Sequence, residues 1–168
     1  MATTNSGKAK VTLPSNEQIL IEREFEAPKH LVFRAWTTPE IVKRWWSGVR
    51  GEMRVVEIDL RVGGQWRYVM LAHQQFEVAF HGTFREIVPN ERIVTTEVFE
   101  QAGVPEPTEA EAVLNVVTFV EQNGRTKLRL VVQCPSQAIR DVIVSSGMEA
   151  GLQEQMDVLE ELVQNSAA

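Results

Sequence analysis

Residues 146–164, SGMEAGLQEQMDVLEELVQ, carry the pattern that decides the fold. Apolar side chains recur there at steps of three and four, which is typical of a helix with one apolar face. That face consists of Met148, Leu152, Gln155–Met156, Leu159 and Leu162–Val163. Ser146 and Glu149 have the spacing of a capping box, so we expect the helix to begin at Ser146. The helix is roughly 27 Å long and needs a partner surface as wide as a small domain.

The preceding chain supplies that surface as a series of alternating segments. Between residues 17 and 27, Ile19, Ile21 and Phe25 share one face, the pattern of a half-buried strand. Six further segments of this kind follow up to residue 133, separated by turns that contain glycine, proline or asparagine. Sequential strands favour an antiparallel meander, and a twisted sheet of this size curls. We therefore predict an α+β fold, in which a curved seven-stranded antiparallel sheet wraps around the long helix.

Short helices are predicted at two places. Pro28 and Pro39 each stand where a first helical residue is expected, so two short helices lie between strands 1 and 2. Another begins after Pro135 and contains Ile139 and Val142. Continued without interruption, its apolar residues would lie opposite the apolar face of the long helix. We therefore expect a break near residues 145–147.

Composition limits the class of protein. The net charge is −6, which argues against a nucleic-acid partner. Cys134 is the only cysteine, so an internal disulfide is excluded and a reducing, cytoplasmic location is expected. No apolar run approaches the ~20 residues of a membrane span. Residues 1–16 are expected to be a disordered tail, and residues 17–164 a single domain.

Five local sequences occur in an order that resembles a known family. They are REFEAP (23–28), AWTTPE (35–40) followed by Trp45-Trp46, DLRVGG (59–64), GTFREI (82–87) followed by PNER (89–92), and GMEAG (147–151). Over residues 17–164 the chain resembles domains of the activator-of-heat-shock-protein-90-ATPase type, in the START and birch-pollen-allergen-like (SRPBCC) superfamily. The resemblance implies a helix-grip fold with a cavity between sheet and helix. Superfamily members bind lipids, polyketides or hormones, some cyclise polyketides, and eukaryotic relatives are co-chaperones.

The sheet and helix carry more apolar bulk than one helix face requires, so we expect an apolar ligand pocket between them. The predicted lining is Trp46, Trp66, Tyr68, Phe80, Met148, Leu152 and Met156. The alternative is that these side chains form ordinary core. Arg23 and Glu97 fall on the same faces as apolar neighbours, where an isolated charge is too costly. They are expected to pair with each other or to hold a polar group of the ligand, unless twist or a bulge brings them to solvent.

The sequence contains no recognisable catalytic or metal-binding pattern. His-Glu-x-x-His, paired-cysteine and Gly-x-Ser-x-Gly motifs do not occur, and we predict no catalytic residue, metal or cofactor. His81 alternates with Phe80 and is expected to face solvent rather than a ligand. Three functions remain open. The preferred one is a non-enzymatic binding module for a small, mostly hydrophobic molecule; the others are a co-chaperone-like module that stimulates a chaperone ATPase and a polyketide-cyclase-like enzyme.

Overall fold

The fold is α+β, as predicted. The computed structural model describes residues 8–49, 51–100, 102–103 and 105–167. Its open antiparallel sheet has the strand order β1-β2-β8-β7-β6-β5-β4-β3. The strands are β1 Lys10–Thr12, β2 Gln18–Phe25, β3 Gly51–Ile58, β4 Gln65–Ala72, β5 Phe76–Val88, β6 Arg92–Glu100, β7 Val113–Gln122 and β8 Arg125–Gln133. The helices are α1 Lys29–Thr37, α2 Pro39–Trp45, α3 Gln137–Ser145 and α4 Met148–Ala167.

The sheet has eight strands rather than seven, because the additional strand β1 lies in the segment predicted to be a tail. Val11 pairs with Ile21 at the edge of the sheet. Ala9 is buried, and its backbone N–H and C=O both bond the side-chain amide of Gln153 on α4, at 3.0 and 2.7 Å. The prediction of a disordered tail is therefore wrong for residues 9–12. Residues 1–7 lie outside the described residues.

The core lies between one face of the sheet and the helices. Phe25, Leu128 and Phe119, on β2, β8 and β7, are almost completely buried on this inward face. Phe33 of α1 packs edge-on against Phe119, with 5.6 Å between the ring centroids. The apolar positions that alternate along these strands are therefore the ones on the buried, inward face of the sheet.

The long helix presents the predicted apolar face. Leu152, Met156, Leu159 and Val163 of α4 are all buried in the core. No helix in the described ranges combines the length and apolar character that a membrane crossing requires.

The break before α4 is confirmed, but the predicted cap is wrong. α3 ends at Ser145 and α4 begins at Met148, with Gly147 between them at a φ of +83°. The Ser146 hydroxyl donates to the carbonyl of Ile143 at 2.6 Å, so it closes α3 instead of capping α4. Ser146 follows a helix directly, and both its backbone N–H and its hydroxyl donate to the Ile143 carbonyl in the last turn.

Candidate functional site

Aromatic side chains converge on the inward face of strands β4 and β5. The strand register places Tyr68 opposite Phe80 and Trp66 opposite Gly82. Trp46, just after α2, packs edge-on against Tyr68 and Phe80, with ring centroids 5.2 and 4.8 Å apart. Such pairs combine apolar burial with a preferred ring geometry. Together they make one continuous aromatic surface that adjoins the apolar cluster containing Leu152 and Met156 of α4.

Gly82 has no side chain, and this leaves room for the indole of Trp66. The indole Nε1 donates to the backbone carbonyl of Thr96 on β6, at 3.1 Å. Because β5 lies between β4 and β6, the indole must cross over Gly82 to reach that carbonyl. A Cβ atom at Gly82 would stand only 1.9 Å from the Thr96 carbonyl oxygen. Only glycine permits this close approach of the two strands.

A polar cluster adjoins the aromatic surface. Glu97 of β6 is hydrogen-bonded to the side chain of Asn115 on β7, and its charge acts on Tyr68. Burial raises the pKa of Glu97 to about 7, although the Asn115 hydrogen bond opposes that rise. Burial, and then the charge of Glu97, raise the pKa of Tyr68. Within the described residues the Tyr68 hydroxyl has no hydrogen-bonding partner. The carboxyl of Glu97 can therefore act as donor or acceptor near neutral pH.

Arg23 and Glu97 do not pair, contrary to one of the two roles predicted for them. Strands β8 and β7 separate β2 from β6. Arg23 is 3% exposed, and its Nη1 bonds the Asp157 carboxylate of α4 at 2.8 Å. Its guanidinium also lies 5.5 Å from the centre of the Phe25 ring. Arg23 therefore joins the sheet to the long helix. Among the described residues no lysine or arginine forms an ion pair with Glu97.

The predicted lining residues lie in one cluster. Four of them, Trp66, Tyr68, Leu152 and Met156, are buried; the other three, Trp46, Phe80 and Met148, are partly buried against the same core. Their contact with a ligand stays a prediction. The inward positions of β6 and β7 nearest Glu97 also keep accessible surface.

Two open grooves lie elsewhere, one on the outer face of β4, β5 and β6 and the other at the turn between β3 and β4. One, of about 310 Å³, is lined by Arg67, Val69, Glu77, Val78, Ala79, Glu100, Ala102 and Glu106. The other, of about 470 Å³, is lined by Glu57, Ile58, Asp59, Arg61, Gly63 and Gln65. Neither includes a residue of the predicted pocket.

Two residues that make polar contacts here, the partners of Glu97 and Arg23, were not predicted from the sequence. Asn115 stands between Val113 and Val117 on the inward face of β7, so the signal that singled out Glu97 was present there too. Asp157 lies outside the apolar face of α4, and no local pattern ties it to Arg23, which is 134 residues away.

Comparisons with known proteins agree with the fold. The family described as "Activator of Hsp90 ATPase homolog 1-like protein" matches residues 26–164. A solved protein from Chromobacterium violaceum is 28% identical, with a TM-score of 0.75, and the match covers 89% of this chain and 98% of that one. A protein from Rhodobacter sphaeroides is 18% identical, with a TM-score of 0.84 and coverage of 94% and 99%. An "AHSA1-like protein" from Aeromonas hydrophila is 21% identical, with a TM-score of 0.65 and coverage of 89% and 93%. No curated protein matches.

Proposed function

The chain belongs to the family of Activator of Hsp90 ATPase homolog 1-like proteins, and from this membership and its inward-facing polar cluster we propose that it binds a small, mostly hydrophobic molecule between sheet and long helix. The fold family is known for ligand binding in a cavity. The specific ligand site, with Trp46, Phe80 and Met148 among its walls, is our proposal.

The observation that carries the proposal is that the hydrogen-bonding groups of the polar cluster are only partly paired. Glu97 has Asn115 as its one hydrogen-bonding side chain, and the Tyr68 hydroxyl has none within the described residues. Neither group is among the fully buried side-chain atoms without a partner in the described residues, so the unpaired Tyr68 hydroxyl keeps some accessible surface that a ligand could reach. A carboxyl and a phenol that face apolar walls together offer both a donor and an acceptor. They would orient a ligand that carries a carbonyl, hydroxyl or amide group.

The exposure of Glu97 also supports a space beside it. Loss of hydration is the main cause of the raised pKa of Glu97, as expected for a group deep inside the protein. The residue nevertheless keeps accessible surface, as do Thr95 and Asn115 next to it on the inward face. A side chain that is remote from bulk water and still accessible to a small probe is typical of the lining of an enclosed space.

The walls favour a flat, apolar ligand. Trp46, Tyr68 and Phe80 present ring faces and edges, and Met156, a buried member of the same apolar cluster, supplies an adaptable thioether. Each 100 Å² of apolar ligand surface removed from water would contribute roughly 2.5 kcal/mol. Affinity would therefore come from the apolar walls, and orientation from Glu97 and Tyr68.

The test uses N-phenyl-1-naphthylamine, an uncharged aromatic probe, together with native mass spectrometry of the purified full chain. We expect the fluorescence of the probe to rise on binding. Glu97→Gln and Tyr68→Phe keep the shape of the site, and we expect each to weaken retention of any co-purifying molecule severalfold. Phe76→Ala changes an exposed aromatic at the start of β5, four residues before Phe80 on the same face, and serves as the control for the loss of an aromatic ring.

The proposal fails if the probe does not bind, or if Tyr68→Ala, Trp46→Ala and Phe76→Ala bind it equally well. Turnover of an aromatic carbonyl substrate that is lost in Glu97→Gln would instead indicate the cyclase-like enzyme. Circular dichroism of each variant verifies that it is folded.

One observation favours the second candidate, a co-chaperone-like module. The family fits ligand or chaperone interaction, and an exposed apolar face is what the latter requires. Ile139 and Val142 of α3 are exposed and lie three residues apart on one face of the helix. Stimulation of a chaperone ATPase that is lost in Ile139→Ser/Val142→Ser, and kept in Tyr68→Ala, would establish this function instead.

A further inference from the structure

We propose that His81, Glu100 and Glu106 form a binding site for a divalent transition-metal ion on the outer face of the sheet. The three residues come from β5, from the end of β6 and from the loop that follows β6. This site is separate from the inward-facing cluster, because His81 and Phe80 point to opposite faces of β5. The proposed metal site can therefore be tested independently of the proposed ligand pocket.

The sheet register brings the first two residues together. His81 pairs with Val98 and Ala79 pairs with Glu100, so His81 and Glu100 are diagonal neighbours on one face. The loop after β6 then brings Glu106 back beside them. The sequence could not show this arrangement, because the spacing of the three residues matches no compact metal motif.

The separations of the donor atoms suit a shared ion. His81 Nε2 lies 3.8 Å from Glu100 Oε2 and 3.7 Å from Glu106 Oε2, too far for a hydrogen bond. The candidate ligand atoms of the three residues all lie within 4.8 Å of one another. Three atoms at these separations have a common point no more than about 2.4 Å from each, and zinc sites need about 2.0–2.2 Å. Small rotations of the His81 and Glu106 side chains, which are 33% and 48% exposed, supply the difference.

The surrounding charges favour a cation. The groove beside the three residues contains the carboxylates of Glu77, Glu100 and Glu106. Arg67 is the only cation among the residues that line it, and it donates to Glu100. Two negative charges therefore remain uncompensated when His81 is neutral, and a divalent ion balances them. The Arg67 contact also fixes the orientation of the Glu100 carboxylate, as hydrogen bonds to metal-binding carboxylates usually do.

The donor set selects the class of ion. One imidazole nitrogen and two carboxylate oxygens suit zinc and its neighbours, whereas magnesium prefers oxygen ligands alone. Three protein ligands leave a position for water or for a small anion. Bound there, the ion joins the loop that carries Glu106 to strands β5 and β6.

The experiment titrates the full chain with ZnCl₂, and in parallel with MgCl₂, by isothermal calorimetry at neutral pH. We expect one Zn²⁺ per chain and a much weaker response to Mg²⁺. His81→Gln and Glu106→Gln each remove one ligand, and we expect each to weaken Zn²⁺ binding more than tenfold. Both side chains are partly exposed, so the variants should fold normally, which circular dichroism verifies.

The matched control is His30→Gln, which removes an exposed imidazole from α1 and should leave Zn²⁺ binding unchanged. Cys134 is buried and does not compete for the added ion. The proposal is overturned if the unaltered protein takes up no Zn²⁺, or if His81→Gln and Glu106→Gln bind it as tightly as His30→Gln does.

Discussion

Glu97 and Arg23 show two solutions to the same problem, a charged group on an inward face. Arg23 pairs with Asp157, which approaches from α4 and whose side chain is 63% exposed. Glu97 has no such partner among the described residues, so burial favours its neutral form. The raised pKa of Glu97 is therefore a property of its position on β6, and it has a measurable effect on stability.

We expect Glu97 to make the protein less stable as the pH rises. The folded protein holds this proton up to about pH 7, whereas the ordinary value is 4.5. Between these values the folded state binds more protons than the unfolded state, so the free energy of unfolding falls as the pH rises. The fall is roughly 2–4 kcal/mol in total. Urea unfolding across this pH range should show the fall in the unaltered protein and not in Glu97→Gln.

The control for this prediction is Glu149→Gln, which changes an exposed glutamate in the first turn of α4. Other carboxyls also contribute to the pH dependence, among them Glu160, whose pKa burial raises. Only the difference between each variant and the unaltered protein is therefore compared. Identical pH profiles for Glu97→Gln and the unaltered protein would contradict the prediction.

Gly82 provides a second prediction at a single residue. Gly82→Ala forces a Cβ against the Thr96 carbonyl oxygen and disturbs the path of Trp66, so we expect a loss of about 3 kcal/mol or more. Gly151→Ala is the matched control, because a Cβ there meets nothing within 4 Å and the residue lies in α4. That change should be neutral or stabilise by up to about 1 kcal/mol. Thermal melting of both variants makes the comparison, and equal stabilities would contradict the close approach.

Helices and strands could be predicted from the sequence where a repeated apolar pattern specifies them. The period of α4 predicts its buried face, because every turn, that is every third or fourth residue, must present an apolar side chain to the core. The start of α4 was not readable in the same way. A serine followed by glycine can cap the next helix or close the preceding one, and the choice depends on where the backbone turns. β1 was missed because three residues are too few to show alternation; it pairs with β2, and Gln153 of α4 bonds Ala9 just before it.

The two serines that flank α3 test this distinction. Ser136 accepts from the backbone N–H of Ile139 at 3.2 Å and caps α3, so Ser136→Ala should cost about 1 kcal/mol. Ser146→Ala should cost less than about 0.5 kcal/mol, because its hydroxyl caps no helix N-terminus. Gly147→Ala should cost about 1 kcal/mol or more, because alanine strains at a φ of +83°. Chemical denaturation of the three variants gives the order of their free energies of unfolding. If Ser146→Ala lost as much stability as Ser136→Ala, Ser146 would have to cap α4 after all.

At the scale of the molecule, the inward face of the sheet divides into two parts. Around Phe25, Leu128 and Leu159 the interior is closely packed, and all three side chains are fully buried. Around Glu97, inward-facing side chains of β5, β6 and β7, among them Phe80 and Asn115, keep accessible surface. Alternation in the sequence predicted which residues face inward on both parts. It could not predict which part is closely packed, because packing density depends on how far α4 lies from each strand.

Phe25 and Phe80 form a matched pair for testing that division. Both are inward-facing phenylalanines in strands, and they differ in exposure, Phe25 being fully buried and Phe80 only partly. Phe25→Ala leaves a cavity in a packed region and should cost about 3–5 kcal/mol. Phe80→Ala should cost half of that or less, because its ring already borders accessible space, and it should weaken binding of N-phenyl-1-naphthylamine. Urea unfolding and probe titration of both variants provide the comparison. Equal losses of stability, with probe binding intact in Phe80→Ala, would mean that the interior is uniformly packed and that the pocket does not exist.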